Sequence, residues 1–126
     1  MTGTGNKIRN FTDLEAWKAS HALAINVYRI TKQFPKEELF GIVSQMRRAA
    51  VSIVSNIAEG FSREFPKEKT QFYAIAKGSA TELHTQVLIS RDVGYMKAVE
   101  YQDFEKQISQ VNKLITGLLR YTRNLS

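Results

Sequence analysis

The clearest helical pattern of the chain lies in residues 98–123, which read AVEYQDFEKQISQVNKLITGLLRYTR. Apolar side chains recur there at steps of three and four, at Tyr101, Phe104, Ile108, Val111, Ile115 and Leu118. This spacing places them on one face of an α-helix, as in a coiled-coil seam. Leu114 and Leu119 widen the seam. The pattern therefore predicts a helix over roughly 98–123 that buries this face.

Three earlier segments have the same periodicity and predict helices over roughly 13–33, 40–60 and 66–93. The inward side of the second holds Val43, Met46, Ala50, Ile53 and Ile57. That of the third holds Phe72, Ile75, Ala76, Leu83 and Val87, together with Ser79 and Ser90. Gly60 and Gly94 are predicted to end these two helices. Short connections favour antiparallel neighbours, so we predict an all-α fold, an antiparallel up-down-up-down left-handed four-helix bundle forming one domain over residues 1–126.

The first helix is predicted to begin with a capping box, in which Thr12 caps the backbone and Glu15 reaches back. It carries two apolar stripes. The first holds Leu14, Trp17, His21, Ala24 and Tyr28, and the second holds Ala16, Leu23, Val27, Ile30 and Phe34. The surplus stripe either widens the core contact or contributes to a subunit interface, and the interface is the preferred interpretation. His21 is expected to be a buried, hydrogen-bonded side chain. Residues 1–11 and the last few residues are expected to be flexible.

Composition excludes several classes of protein. The 126 residues include no cysteine, so disulfides and thiolate metal sites are absent. The N-terminal MTGTGNKIRN lacks the apolar region of a signal peptide, and no apolar run approaches the ~18 residues of a membrane span. We therefore expect a cytoplasmic protein with no membrane partner. Its net charge of +6 is compatible with a polyanionic partner.

Catalytic and metal-binding patterns are missing as well. A di-iron bundle needs Glu-x-x-His pairs, but Lys18 precedes His21 by three residues and Thr81 precedes His84 by three. No G-x-S-x-G nucleophile elbow occurs. The sequence thus predicts a protein that is not an enzyme and that holds neither metal nor cofactor.

A binding surface is indicated on the last helix, where Lys106, Lys113 and Arg120 recur every seven residues away from the apolar seam. Arg123 extends this cationic stripe by one turn. The stripe is either a ridge that contacts nucleic-acid phosphates or an ordinary solvated face. Assembly into a ring would multiply its field. A second concentration, Arg47 and Arg48 on the second helix, is either solvated or part of a polar interface.

Several motifs then point to a family. They are Asp13-Leu14-Glu15-Ala16-Trp17, Gln45-Met46-Arg47-Arg48-Ala49-Ala50-Val51-Ser52-Ile53, Ser55-Asn56-Ile57-Ala58-Glu59-Gly60, Ala76-Lys77-Gly78-Ser79-Ala80-Thr81-Glu82-Leu83 with Gln86, and Asp92-Val93-Gly94-Tyr95. Over about residues 8–123 the chain resembles the bacterial four-helix proteins called 23S rRNA intervening-sequence proteins. In this sequence Val54 stands where relatives commonly have proline. Because valine keeps its backbone N–H, we expect the second helix to be straighter than in those relatives.

The resemblance implies a short cytosolic bundle that tends to form a homopentameric ring, with a molecular role that is not settled. It also implies a distant similarity to the accessory protein of diversity-generating retroelements, a basic bundle that engages nucleic acid. Matched by position, the recurrent polar residues of the family are Arg47, Arg48, Asn56, Glu59 and Glu82. The leading hypothesis is a non-enzymatic oligomer that binds structured RNA or DNA. The alternative is a protein-protein interaction scaffold without direct nucleic-acid binding.

Overall fold

Four long helices make up most of the computed structural model, which describes residues 7–125. They are α1 (Glu15–Thr31), α2 (Ser44–Ser62), α3 (Pro66–Asp92) and α4 (Ala98–Arg123). No strand occurs within the described residues. The predicted all-α class is confirmed. Each helix overlaps one of the four predicted ranges, and the largest difference is at the start of α2.

Each helix packs against the next along the chain, and α1 also packs against α4, which closes the bundle around one hydrophobic core. Between α2 and α3, Met46 contacts Ser90, Ser52 bonds Ser79, and Gly60 lies against Tyr73. The paired residues run in opposite order along the two helices, so α2 and α3 are antiparallel. The left-handed sense of the bundle stays a prediction.

The buried faces of α2 and α4 largely follow the predicted pattern. All five residues predicted on the inward side of the second helix are buried, with Val43 in the turn just before α2. Phe104, Ile108, Val111 and Ile115 of α4 are buried as well. In the last turns of α4 the buried position is Leu119, while Leu118 is only partly buried. After Ile115 the next residue to face the core is therefore Leu119, four residues on, and not the predicted Leu118, three residues on.

One core assignment in α3 is wrong. Ile75 is 51% exposed, whereas Tyr73, three residues before Ala76, is buried. The stripe that faces the core runs through Tyr73, Ala76, Ala80, Leu83 and Val87. Phe72, also predicted to face inward, is partly buried. Because positions 72, 73, 75 and 76 are all apolar or aromatic, the pattern alone does not fix the rotation of this turn.

The predicted start of the first helix is also wrong. Asn10 accepts a hydrogen bond from Thr12 N at 3.0 Å, and the Asp13 carboxylate accepts from the backbone N–H of Arg9 at 2.8 Å. These bonds stabilise a 3₁₀ turn over Phe11–Asp13, and α1 then begins without a side-chain cap. Hydrogen bonds from the backbone N–H of Arg9, which has the larger effect, and of Asn10 lower the pKa of Asp13.

Part of the predicted flexible tail is therefore fixed by hydrogen bonds, from residue 9 onward. The prediction for residues 1–6 and Ser126 lies outside the described residues. In α1 the second apolar stripe enters the core, with Leu23 and Val27 fully buried. The first stripe widens this contact, because Ala24 is also buried and Leu14 and Trp17 pack against the core. His21 is exposed and stacks on Trp17 at 4.8 Å, so its predicted burial is wrong.

The connection between α1 and α2 explains why α2 begins at Ser44. A wide helical turn over Leu39–Val43 precedes it, in which Gly41 leaves helical geometry at φ −109° and ψ −118°. From Ser44 onward α2 runs without interruption through Val54, as expected from the missing proline. A hydrogen bond joins this connection to the one between α3 and α4, because the hydroxyl of Tyr95, which follows α3, donates to the carboxylate of Glu38 at 2.6 Å.

Of the two glycines that were predicted to end helices, Gly94 does so and Gly60 does not. Gly94 has φ +85°, and Tyr95 N and Gly94 N donate to the carbonyls of Ser90 and Arg91, which is a Schellman ending. Gly60 instead lies buried inside α2, so the prediction that it ends the helix is wrong. A methyl group on Gly60 would lie 2.6 Å from Cε1 of Tyr73. Gly60 therefore allows the close approach of α3.

Burial of Tyr73 predicts a loss of stability in alkali. Desolvation raises the pKa of this tyrosine to about 12, whereas an unfolded tyrosine has a pKa of about 10. Stability is therefore complete below about pH 10 and falls as the pH rises towards 12, because only the unfolded chain releases the proton. At roughly pH 11.5 the loss due to Tyr73 is about 2 kcal/mol.

We expect Tyr73→Phe to remove this part of the alkaline loss. Urea unfolding at roughly pH 9 and pH 11.5 measures the free energy of unfolding of the original protein and of the variant at each pH. Other tyrosines titrate equally in both proteins and cancel in the difference. An identical alkaline loss in the variant would contradict the assignment.

Candidate nucleic-acid interface

The cationic stripe lies on the outer side of α4. Lys106, Lys113 and Arg120 are all exposed, because α4 turns its opposite side, with Phe104 and Val111, into the core. Seven residues of helix rise about 10.5 Å, so the three cations span about 21 Å. The three cations that the sequence places seven residues apart therefore form a row on the accessible surface of α4.

A groove of about 1040 Å³ adjoins this row, and α3 contributes Lys77 and His84 to its lining. Within residues 7–125 none of the four Lys and Arg side chains of the lining forms an ion pair. The one carboxylate in the lining, Glu105, accepts a hydrogen bond from the Tyr101 hydroxyl at 2.7 Å. The groove therefore combines four cations with a single anion.

Most of the other residues that line the groove have polar side chains. They include Ser109, Gln110, Asn112 and Thr116. Asn112 Oδ1 is buried, and within the described part of the chain it has no hydrogen-bond partner. These side chains can hydrogen-bond a charged ligand that enters the groove.

Arg123 is exposed in the last turn of α4 and is not part of the groove lining. Lys106, in contrast, lines a second groove of about 560 Å³ between α1 and α4, together with Arg29 and Asp103. Two other lining residues bond each other, since Asn26 Nδ2 donates to Gln107 Oε1 at 2.8 Å. Sequence reasoning missed Lys77, His84 and Arg29, because only the packing of α3 and α1 beside α4 brings them to the stripe.

The five polar residues carried over from the family resemblance do not form one site. Arg47 connects α1 and α2, since its Nε donates to Thr31 Oγ1 at 3.1 Å and its guanidinium lies 4.8 Å from the Tyr28 ring centroid. This cation-π contact fixes Arg47 on the α1 side of α2. Arg48 is exposed on another side of the helix.

Asn56 stabilises the seam between α2 and α3. Its Nδ2 donates to Ser52 O at 2.8 Å and to Ser52 Oγ at 3.1 Å, and the Ser52 hydroxyl bonds Ser79 at 2.8 Å. Glu59 pairs with Arg63 at 2.9 Å, and Glu82 is exposed on α3. Arg47 and Asn56 therefore hold helices together, and their contacts give no sign of a shared ligand.

No group of three or more His, Asp or Glu side chains in residues 7–125 is placed to hold a metal ion. Over the same residues, none of the helices combines the length and apolar character needed to cross a bilayer.

Comparison with known proteins confirms the fold. A protein of unknown function from the S23 ribosomal protein family of Bacteroides thetaiotaomicron has a solved structure that is similar, with a TM-score of 0.77 and 20% identity. The match covers 83% of this chain and 95% of that chain. No curated protein matches significantly. A model of the 23S rRNA-intervening sequence proteins matches residues 12–117, most of the sequence, and the chain therefore belongs to the 23S rRNA-intervening sequence protein family.

Proposed function

We propose that this protein is a non-enzymatic bundle that binds structured RNA or DNA along the outer side of α4. The observation that carries the proposal is the groove lined by Lys77, Lys106, Lys113 and Arg120, cations that have no ion-pair partner in residues 7–125. Unpaired, exposed cations are free to replace the counterions of a polyanion. The proposal places the protein in the cytoplasm, in contact with cellular nucleic acid.

The length of the stripe fits a nucleic-acid backbone. Phosphates follow one another every ~3.4 Å along each strand of a DNA duplex, so the ~21 Å between Lys106 and Arg120 matches about six of these steps. Lys77 adds a fourth cation on the other wall of the groove. One chain is therefore expected to make three or four phosphate contacts, which bind weakly alone and add up in an assembly.

Assembly of several copies is part of the proposal, and the pentamer that the family resemblance implies is its expected form. It is supported by exposed apolar side chains on α1, where Ile25 is 48% and Tyr28 39% exposed. On α3, Ile75 and Ile89 are 51% and 48% exposed. Light scattering at micromolar concentration is expected to give a multiple of the chain mass. A monomer mass would contradict assembly.

The test of the binding surface is Lys106→Ala, Lys113→Ala and Arg120→Ala in one variant. Fluorescence anisotropy with labelled RNA hairpins and duplex DNA measures its affinity. At near-physiological salt we expect roughly 10- to 100-fold weaker binding, because three phosphate contacts are lost.

A matched control replaces three other exposed cations, Lys32, Lys36 and Lys67, by alanine. It lowers the net charge equally but leaves the groove intact, so its binding should stay close to that of the original protein. Equal weakening by both variants would show that only total charge matters. Unchanged binding by the groove variant would remove this site.

A protein-protein interaction scaffold is the second candidate, and one observation favours it. Phe40 is 93% exposed at the end of the bundle where α2 begins, next to Leu39 at 47%. An exposed phenylalanine of this kind suits a protein partner. A specific protein captured after nuclease treatment, and lost with Phe40→Ser, would favour this function over nucleic-acid binding.

A further inference from the structure

The outer surface of α4 has a gap at Gly117. This glycine lies in the interior of the helix, is exposed and belongs to the groove lining. A Cβ atom added there would meet nothing within 4 Å. Glycine is less favourable than alanine inside a helix, and no neighbour in the fold requires its small size here. The helix backbone at Gly117 is therefore open to solvent and accessible to a ligand.

Three exposed side chains surround the gap. Helical geometry puts Lys113 one turn before Gly117, and Arg120 and Tyr121 one turn after it, all on adjoining positions. Tyr121 is 66% exposed. Within residues 7–125 its ring neither pairs with another aromatic ring nor lies under a cation. The exposed backbone at Gly117 is thus flanked by two cations and by an aromatic ring whose faces make no contact with another ring or a cation in the described residues.

We propose that this place binds an unpaired nucleotide. Its base stacks on the Tyr121 ring, and its phosphate lies over Gly117 between Lys113 and Arg120. The inference rests on the proposed function and names which part of a nucleic acid the α4 surface selects. Four residues of helix rise about 6 Å, a separation that one nucleotide can bridge from base to phosphate.

The chemistry selects unpaired over paired nucleotides for a simple reason. Inside a duplex both faces of a base are covered by its neighbours, so the base cannot stack on a side chain. A loop or a bulge exposes that face, and stacking on an aromatic ring accepts any base. The cations alone would bind duplex and loop alike.

The test compares an RNA hairpin that has an unpaired loop with a blunt RNA duplex carrying the same number of phosphates. For Tyr121→Ala we expect hairpin binding to weaken by about 5- to 150-fold, the range for one stacked base. Duplex binding should stay unchanged, since the cations remain. Tyr121→Phe keeps the ring and should restore hairpin binding.

Gly117→Ala tests the gap itself, with Gly78→Ala as its matched control. Both glycines lie inside long helices, and at both an added Cβ meets nothing within 4 Å. Each substitution should raise Tm by roughly 2–5 °C. Only Gly117→Ala should weaken hairpin binding, by several-fold, while Gly78→Ala leaves it unchanged. A variant that gains stability and loses affinity cannot be explained by damage to the fold.

The outcomes separate this inference from the function on which it rests. If the hairpin binds and the triple α4 variant weakens it, while Tyr121→Ala and Gly117→Ala bind as before, the nucleotide site is overturned and the proposed function stands. Equal affinity of the original protein for hairpin and duplex also overturns the site. If the original protein binds neither of the two RNAs nor a duplex DNA of the same number of phosphates, both proposals fall together.

Discussion

Replacing Phe104 by alanine is expected to lower the free energy of unfolding by about 3–5 kcal/mol. Phe104 is fully buried in α4 and belongs to the core shared by all four helices. The substitution removes the transfer energy of a whole ring and leaves a cavity that rigid neighbouring helices fill only in part. Urea denaturation followed by circular dichroism measures the change.

Phe40→Ala is the matched control, because it makes the same chemical change at a side chain that is 93% exposed. We expect it to change stability by less than about 0.5 kcal/mol. Similar losses in the two variants would contradict the assignment of Phe104 to the core. If Phe104→Ala does not fold at all, Phe104→Leu gives a smaller loss that can still be measured.

The second large effect is expected at Gly60, where α2 and α3 approach closely. In Gly60→Ala the new methyl group would lie 2.6 Å and 2.8 Å from two ring atoms of Tyr73 and 3.2 Å from Cβ of Phe72. The ring of Tyr73 is itself buried, so α3 must shift to relieve the overlap. We expect a loss of about 3 kcal/mol, which exceeds the gain in helix propensity.

Gly78→Ala provides the comparison for stability as well. An added methyl group meets no atom within 4 Å there, so the same substitution should stabilise the protein by about 0.5–1 kcal/mol. Thermal and urea unfolding of the two variants should therefore move in opposite directions. Stabilisation by Gly60→Ala would mean that α2 and α3 do not approach as closely as described.

The fold was largely predictable because apolar residues at helical spacing define each helix without help from the others. Ile53 and Val111 are examples of core residues found in this way. Prediction failed where several apolar residues stand together, as at Tyr73 and Ile75, or where two caps compete. Asn10 and Asp13 form a capping box two residues before the predicted Thr12 and Glu15 pair. Spacing alone does not decide between such neighbours.

The candidate site was predictable only on α4 itself. Lys106, Lys113 and Arg120 follow from the heptad spacing of one helix, whereas Lys77 joins them because α3 packs beside α4. The contacts of Arg47 with Tyr28 and Thr31 likewise depend on α1. Spacing within one segment carries no information on which residues a neighbouring helix will supply.

The salt dependence of binding tests the central claim most directly. The logarithm of the affinity for duplex DNA is plotted against the logarithm of the salt concentration, for the original protein, the triple α4 variant and the Lys32, Lys36 and Lys67 control. Each phosphate contact contributes about 0.9 to the slope, so the α4 variant should have a slope shallower by about 2.7. The control should keep the original slope. Identical slopes for the original protein and the α4 variant would contradict the claim that α4 contacts the phosphates.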